Sequence, residues 1–126
     1  MLLVKTYLDK SKIHGLGVFA GEFIPKGGKI WVFAEGFDRA YSPKEFKKLP
    51  KAAQDFIRRY GYQINGEIML TVDHDCYTNH SDKANTVYRD GFMVARRNIA
   101  KGEEITNDYR DFDRMFCAGF LRKKPK

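Results

Sequence analysis

Thr78-Asn79-His80-Ser81 opens the stretch whose reading decides the fold, and Gly102-Glu103-Glu104-Ile105-Thr106-Asn107-Asp108-Tyr109 closes it. Between them lie Asn85-Thr86-Val87-Tyr88, the pair Asp90-Gly91, and Phe92-Met93-Val94-Ala95-Arg96-Arg97. An Asp-Gly pair between two β-rich runs predicts a tight hairpin. Lys101-Gly102 predicts a second turn, leading into a short strand that ends near Tyr109. A polar Asn-His-Ser segment and an acidic-then-tyrosine segment are therefore carried on strands joined by tight turns. Polar groups that a small fold draws toward its centre must find partners, so their presence there points to function.

On the N-terminal side, Leu2 to Leu8 alternates and predicts a first strand. Lys10 to Gly17 is a polar, glycine-bearing loop, Val18-Phe19-Ala20 a short strand, Ile24-Pro25-Lys26-Gly27-Gly28 a turn, and Lys29 to Phe33 a strand of β-favouring residues. The middle is helical. Ser42-Pro43-Lys44-Glu45 reads as an N-cap, a proline at the first helical position and a capping-box glutamate. Pro50 breaks that helix or begins a second, along which Ala52, Ala53, Phe56, Ile57 and Tyr60 recur at helical spacing until Gly61 caps it. Ile64 to Val72 reads as a hairpin around Asn65-Gly66. Many short strands, tight turns and one helical island predict an α+β domain that is mainly β.

A chain of 126 residues fits one domain, residues 1–126, and can bury a core without staples. With 43% hydrophobic and 14% aromatic residues it is globular in composition. No apolar run has the roughly 20 residues of a membrane span, and Met1 to Lys5 is too short for a signal peptide. The expectation is a cytoplasmic protein with no membrane partner. The two cysteines, Cys76 and Cys117, are not expected to form a disulfide in a reducing compartment, and they do not make a zinc site. His74 and His80 near Asp73 and Asp75 match no metal-ligand spacing, so no metal is expected. The net charge of +7 admits nucleic acid, an acidic partner or plain solubility. Aromatics do not alternate with Lys and Arg as a nucleic-acid face requires, which disfavours that class.

The motifs resemble those of SET-domain protein-lysine methyltransferases. Asn79-His80-Ser81 and Gly102-Glu103-Glu104-Ile105-Thr106 with Asp108-Tyr109 are similar to the two C-terminal motifs of the family. Ser11-Lys12-Ile13-His14-Gly15-Leu16-Gly17-Val18-Phe19-Ala20 is similar to its cofactor loop and the strand that follows, and Pro25-Lys26-Gly27 to the next turn. All occur in family order, from about Tyr7 to Asp113. The resemblance implies the SET fold: small sheets with the C-terminal segment threaded in a pseudoknot-like way, and a helical insert at about residues 42–61. Pattern alone would not predict such threading.

It also implies S-adenosyl-L-methionine as cofactor and a protein or peptide lysine as substrate; a second copy of the chain stays open as a partner. Tyr109 takes the place of the family's catalytic tyrosine. His14, Gly15, Leu16 and Gly17 supply backbone contacts to the cofactor, and Asn79 and His80 complete that site. Tyr60, Tyr62 and Asn107 are assigned to the substrate channel. Phe112 and Phe116, on a C-terminal segment of about residues 112–126 with Phe120, are expected to close the cofactor pocket in a chain without the zinc cluster found in many relatives. Ordinary core packing is the other reading of these phenylalanines. A turn cap and a polar core position are the other readings of Asn79 and His80. Asn107 departs from the Phe or Tyr that many members carry there, so the number of methyls added does not transfer. A non-catalytic SET-like binding module is the alternative to an enzyme. Glu35, Asp38, Asp111 and Asp113 are the acidic residues that would attract a lysine-bearing segment.

Overall fold

A computed structural model of the chain describes residues 1–64 and 66–112. In chain order they form β1 (Thr6–Lys10), β2 (Leu16–Ala20), β3 (Lys29–Val32), β4 (Arg39–Tyr41), α1 (Pro43–Lys47), α2 (Lys51–Tyr60), β5 (Tyr62–Ile64) and β6 (Glu67–Leu70). A 3-10 helix at His74–Tyr77 follows, then β7 (Asn79–His80), β8 (Thr86–Arg89), β9 (Phe92–Ala95), β10 (Glu104–Asn107) and a 3-10 turn at Tyr109–Asp111. No helix among these is long and apolar enough to cross a membrane.

The strands make three small sheets, ordered β1-β2-β10-β7, β3-β9-β8 and β4-β6-β5. The first positions the site. Its strand β10, last in the described chain, lies between β2 and β7, antiparallel to the one and parallel to the other. Parallel pairing sets Thr106 opposite Asn79 and Asn107 opposite His80. The two distant motifs thus become side-by-side strands.

Local chemistry accounts for most of the elements. Asp90 and Gly91 both have positive φ, 51° and 83°, the geometry of a two-residue hairpin turn that matches strand twist. Ser42 and Glu45 form the expected capping box, with Glu45 N–H donating to Ser42 Oγ at 3.1 Å. Pro50 stands just before α2 and stops α1 short. Gly61 ends α2 by donating to Ile57 O at 2.6 Å, but with φ −83° it leaves extended into β5 rather than left-handed. Within α2 only Ile57 is fully buried; Phe56 is half exposed and lies against Tyr60.

The first strand begins later than the Leu2–Leu8 alternation predicts. Leu2 instead bridges to Trp31, with its N–H donating to the Asp73 carboxylate at 2.8 Å, and Leu3 N–H donates to Ile30 O. The start of the chain is thereby tied to β3, and β1 runs on to Lys10. The predicted strand ending near Tyr109 stops at Asn107. Asp108 caps a 3-10 turn there, its carboxylate accepting from Arg110 N–H at 3.0 Å.

Three apolar clusters hold the sheets together. Val18, Ala20, Ile24, Ile30, Ala95, Ile99 and Ile105 form the first. Trp31, Tyr62, Ile64, Met93, Tyr109 and Phe112 form the second, and Phe46, Ile57 and Ile68 pin the helices to the third sheet. Each large side chain so buried stabilises the fold by about 1.5–3 kcal/mol.

Candidate functional site

Two structures meet at β10: a hydrogen-bonded loop on one side and an aromatic cavity on the other. The loop spans Ser11 to Leu16. Ser11 N–H donates to Gly15 O at 2.8 Å, and Gly15, with φ 48°, makes the bend. Ser11 Oγ accepts from Ile13 N–H at 2.9 Å and His14 N–H at 3.3 Å. Asn79, 4% exposed, reaches across from β7 and donates from Nδ2 to His14 O and Leu16 O, both at 3.1 Å, and to Glu104 Oε1 at 3.0 Å. Three acceptors around one nitrogen fix the orientation of the amide. The Asn79 Oδ1 that remains has no hydrogen bond among the described residues.

Gly17 has a different reason to be glycine. Its φ is not in the left-handed region; a Cβ there would stand 2.1 Å from Glu104 Oε1. Ile13 and Leu16 expose their apolar side chains on this loop, and His14 is exposed. The loop thus combines an exposed apolar rim, a closely approaching backbone and one amide oxygen, Asn79 Oδ1, left over as an acceptor.

Across β10, Tyr109 is buried at 4% exposure. Its hydroxyl donates to Thr78 O, and its N–H donates to His80 Nδ1 at 3.1 Å. An accepting Nδ1 puts the His80 proton on Nε2, which lies 2.9 Å from Asp82 Oδ1. Asp108, beside Tyr109, is held below the usual carboxylate range by hydrogen bonds from the Arg110 guanidinium at 2.8 and 2.6 Å. That keeps it an anion paired to arginine, which suits a structural role.

The rings of Tyr62 and Phe112 meet Tyr109 edge-on at 5.5 and 6.1 Å. Trp31, Tyr62, Ile64, Asp75, Met93, Asn107 and Phe112 line a cavity of about 10 Å³ against this cluster. Asn107 is fixed on its wall, its Oδ1 accepting from Thr86 Oγ1 at 2.7 Å. The Trp31 indole Nε1 is buried with no hydrogen-bond partner among the described residues. Burial raises the Tyr62 phenol well above its ordinary value, and the neighbouring Tyr109 and Asp75 push the same way. Tyr62 therefore stays a neutral donor, and its hydroxyl reaches Asp75 O at 3.3 Å.

The structure thus brings Asn79, His80, Tyr109 and the His14–Gly17 loop around one strand, with Tyr62 and Asn107 on the cavity behind. It sets Tyr60 elsewhere: that ring packs on Phe56 and Tyr77 at 4.7 and 5.6 Å and does not line the cavity. Its place at the end of α2 turns it away while Tyr62, two residues on in β5, turns in. Phe112 is a cavity wall, packed on Tyr62 at 5.4 Å and Tyr88 at 5.8 Å. Phe116, Phe120 and the rest of the expected lid lie outside the described residues. Sequence reading places Ser11 and Glu104 within motifs and weighs Asp75 only as a metal ligand, and gives none of Ser11, Glu104, Trp31, Asp75 or Thr86 a role in the site. For Glu104 a signal existed: Ile105 alternates into the core, so Glu104 must face the other side.

Comparison with known proteins follows the same lines. The family model for the SET domain matches residues 15–110. A Plasmodium falciparum protein described as a histone methyltransferase has a similar structure, with TM-score 0.62 and 25% identity over 86% of this chain and 95% of that one. An apo PRC2 complex with two substitutions in its Ezh2 subunit matches with TM-score 0.69 and 20% identity, over 92% of this chain and 16% of that one. At that identity the second likeness speaks for the fold alone. No curated protein matches the chain by sequence.

Proposed function

The chain belongs to the SET-domain family, and from that premise we propose that it transfers methyl groups from S-adenosylmethionine to a lysine side chain of a protein or peptide. The observation that carries this reading is the buried Tyr109, its ring against Tyr62 and Phe112 of the cavity wall and its hydroxyl donating to the carbonyl of Thr78, next in the chain to the Asn79 that holds the loop.

The cofactor, when bound, supplies a methyl on a sulfonium. The residues of this chain would then do three things. Asn79 Oδ1 and the backbone of His14 to Gly17 hold the cofactor, with His80 beside them. Tyr62, Phe112 and Trp31 take the lysine stem out of water. A lysine amine in water has a pKa of about 10.4, and removal from water favours the neutral form that can attack. Tyr109, locked by its bonds to Thr78 and His80, orients the amine rather than deprotonating it, a contribution of positioning. Transfer breaks the carbon–sulfur bond, forms a carbon–nitrogen bond, and sends the amine proton to solvent.

The test is transfer of labelled methyl to proteins of a cell extract, with mass spectrometry of the labelled product. Tyr109→Phe deletes one hydroxyl and keeps the ring contacts. It is expected to retain cofactor affinity and to lose turnover by about a hundredfold or more. Wild-type turnover in that variant would remove Tyr109 from the reaction. Cofactor-independent binding of peptide with no transfer by the wild type would make the chain a binding module instead.

A further inference from the structure

Resting on the reading of the Ser11–Gly17 loop as the cofactor site, we propose that Glu104 is its positioning residue, the acceptor that sets the loop in binding geometry. Glu104 Oε2 accepts from the Ser11 hydroxyl at 2.9 Å, and Oε1 accepts from Asn79 Nδ2 at 3.0 Å. The first bond decides the second half of the loop. Because the single Ser11 proton goes to Glu104, both oxygen lone pairs face the N–H groups of Ile13 and His14. The second bond, with those to His14 O and Leu16 O, turns the Asn79 amide so that Oδ1 is the atom left over.

Both carboxylate oxygens therefore face donors. A carboxylate satisfies both, whereas an amide of the same shape must turn its NH₂ toward Ser11 or toward Asn79 and meet a donor there. The passage of the carboxylate is built in as well, since only glycine at position 17 leaves it room. The neighbouring Glu103 does something else: it pairs with Arg97 at 2.6 Å, accepts from Ala100 N–H, and accepts from Asn85. The Gly-Glu-Glu run thus divides into one glutamate for the turn and one for the loop. Strand β10 carries the clamp at its start and leads directly into Tyr109, so one strand sets both ends of the reaction.

The experiment compares Glu104→Gln and Gly17→Ala with wild type and with Glu103→Gln. It measures S-adenosylmethionine affinity by titration calorimetry, KM and kcat, and hydrogen exchange at the Ile13 and His14 amides of the free protein. In Glu104→Gln, affinity is expected to fall about tenfold or more, the range for losing a hydrogen bond to a charged group. The loss should appear in KM for the cofactor with kcat retained at saturation, and the two amides should exchange faster. Gly17→Ala should act alike, because the nearest atoms its Cβ meets are the end of the flexible Glu104 side chain and the Ser11 Cβ. Glu103→Gln should leave affinity unchanged. Affinity within twofold of wild type in Glu104→Gln, or unchanged exchange at Ile13 and His14, overturns the proposal. A wild type that binds no S-adenosylmethionine overturns the cofactor reading instead, and the exchange rates then still decide whether Glu104 sets the loop.

Discussion

The two faces of β10 are built by opposite means. On one, the Glu104 and Thr106 side chains are held by directional bonds: Glu104 accepts from Ser11 and Asn79, and Thr106 Oγ1 accepts from Asn85 N–H at 3.3 Å. On the other, Ile105 fills the first apolar cluster and Asn107 stands on the cavity among aromatic rings. The first face depends mainly on which atom meets which. The second, apart from the bond that holds Asn107 to Thr86, depends on volume. A hydrogen bond is lost when one atom changes type, while a packed cluster answers to how much is removed or added. The two faces should therefore fail differently.

The largest effect is expected from Phe112→Ala. This ring is 7% exposed and touches Tyr62, Tyr88 and Tyr109, so its loss should destabilise the protein by about 3–5 kcal/mol in urea unfolding. Ile13 and His14 should exchange as in wild type wherever the variant is folded. Faster exchange there would show that the faces are not independent.

Asn107→Tyr adds volume where about 10 Å³ is open and removes one of the two acceptors of the Thr86 hydroxyl, leaving Thr106 O. It should destabilise by about 1–3 kcal/mol and leave cofactor affinity alone. In the proposed reaction, the small Asn107 lets a second methyl fit, so the wild type should add more than one and the variant should shift toward one. Product masses at long times with enzyme in excess measure this, and a wild type that halts at one methyl contradicts it.

The smallest effect is alkaline. Tyr62 has a raised pKa in the folded protein because burial, then Tyr109 and Asp75, oppose its anion. The unfolded chain ionises near pH 10 and the folded one does not. The contribution of Tyr62 to stability is therefore constant below that pH and falls above it, by about 1.4 kcal/mol per pH unit. Tyr62→Phe should flatten this limb in melts at rising pH; an unchanged slope would place the titration elsewhere.

How much of this was legible depended on the range of the interaction. The Asp90-Gly91 turn, the Ser42–Glu45 capping box and the stop at Pro50 are decided by neighbours a few residues apart, and the chain order states them openly. The motif residues Asn79, His80 and Tyr109 were legible through resemblance, which also carried the SET fold. Tyr60 and Tyr62 were not separable, since two residues at the junction of a helix and a strand point by rules that change between them. Nor was the division of labour between Glu103 and Glu104, whose partners lie as far off as Ser11 and Asn79.

The sequence by itself determined the family, the short strands and turns, and the residue types available for the chemistry, because local backbone preferences and apolar spacing are written along the chain. Tertiary structure alone decided that β10 lies between β2 and β7, that the Asn79 amide is spent on the loop, that Gly17 is small for the sake of a carboxylate, and that Tyr109 sits on a 3-10 turn. Each of these joins groups distant in sequence through contacts only a few ångströms long. No local preference reaches so far; the partners are chosen when the sheets close on a common core.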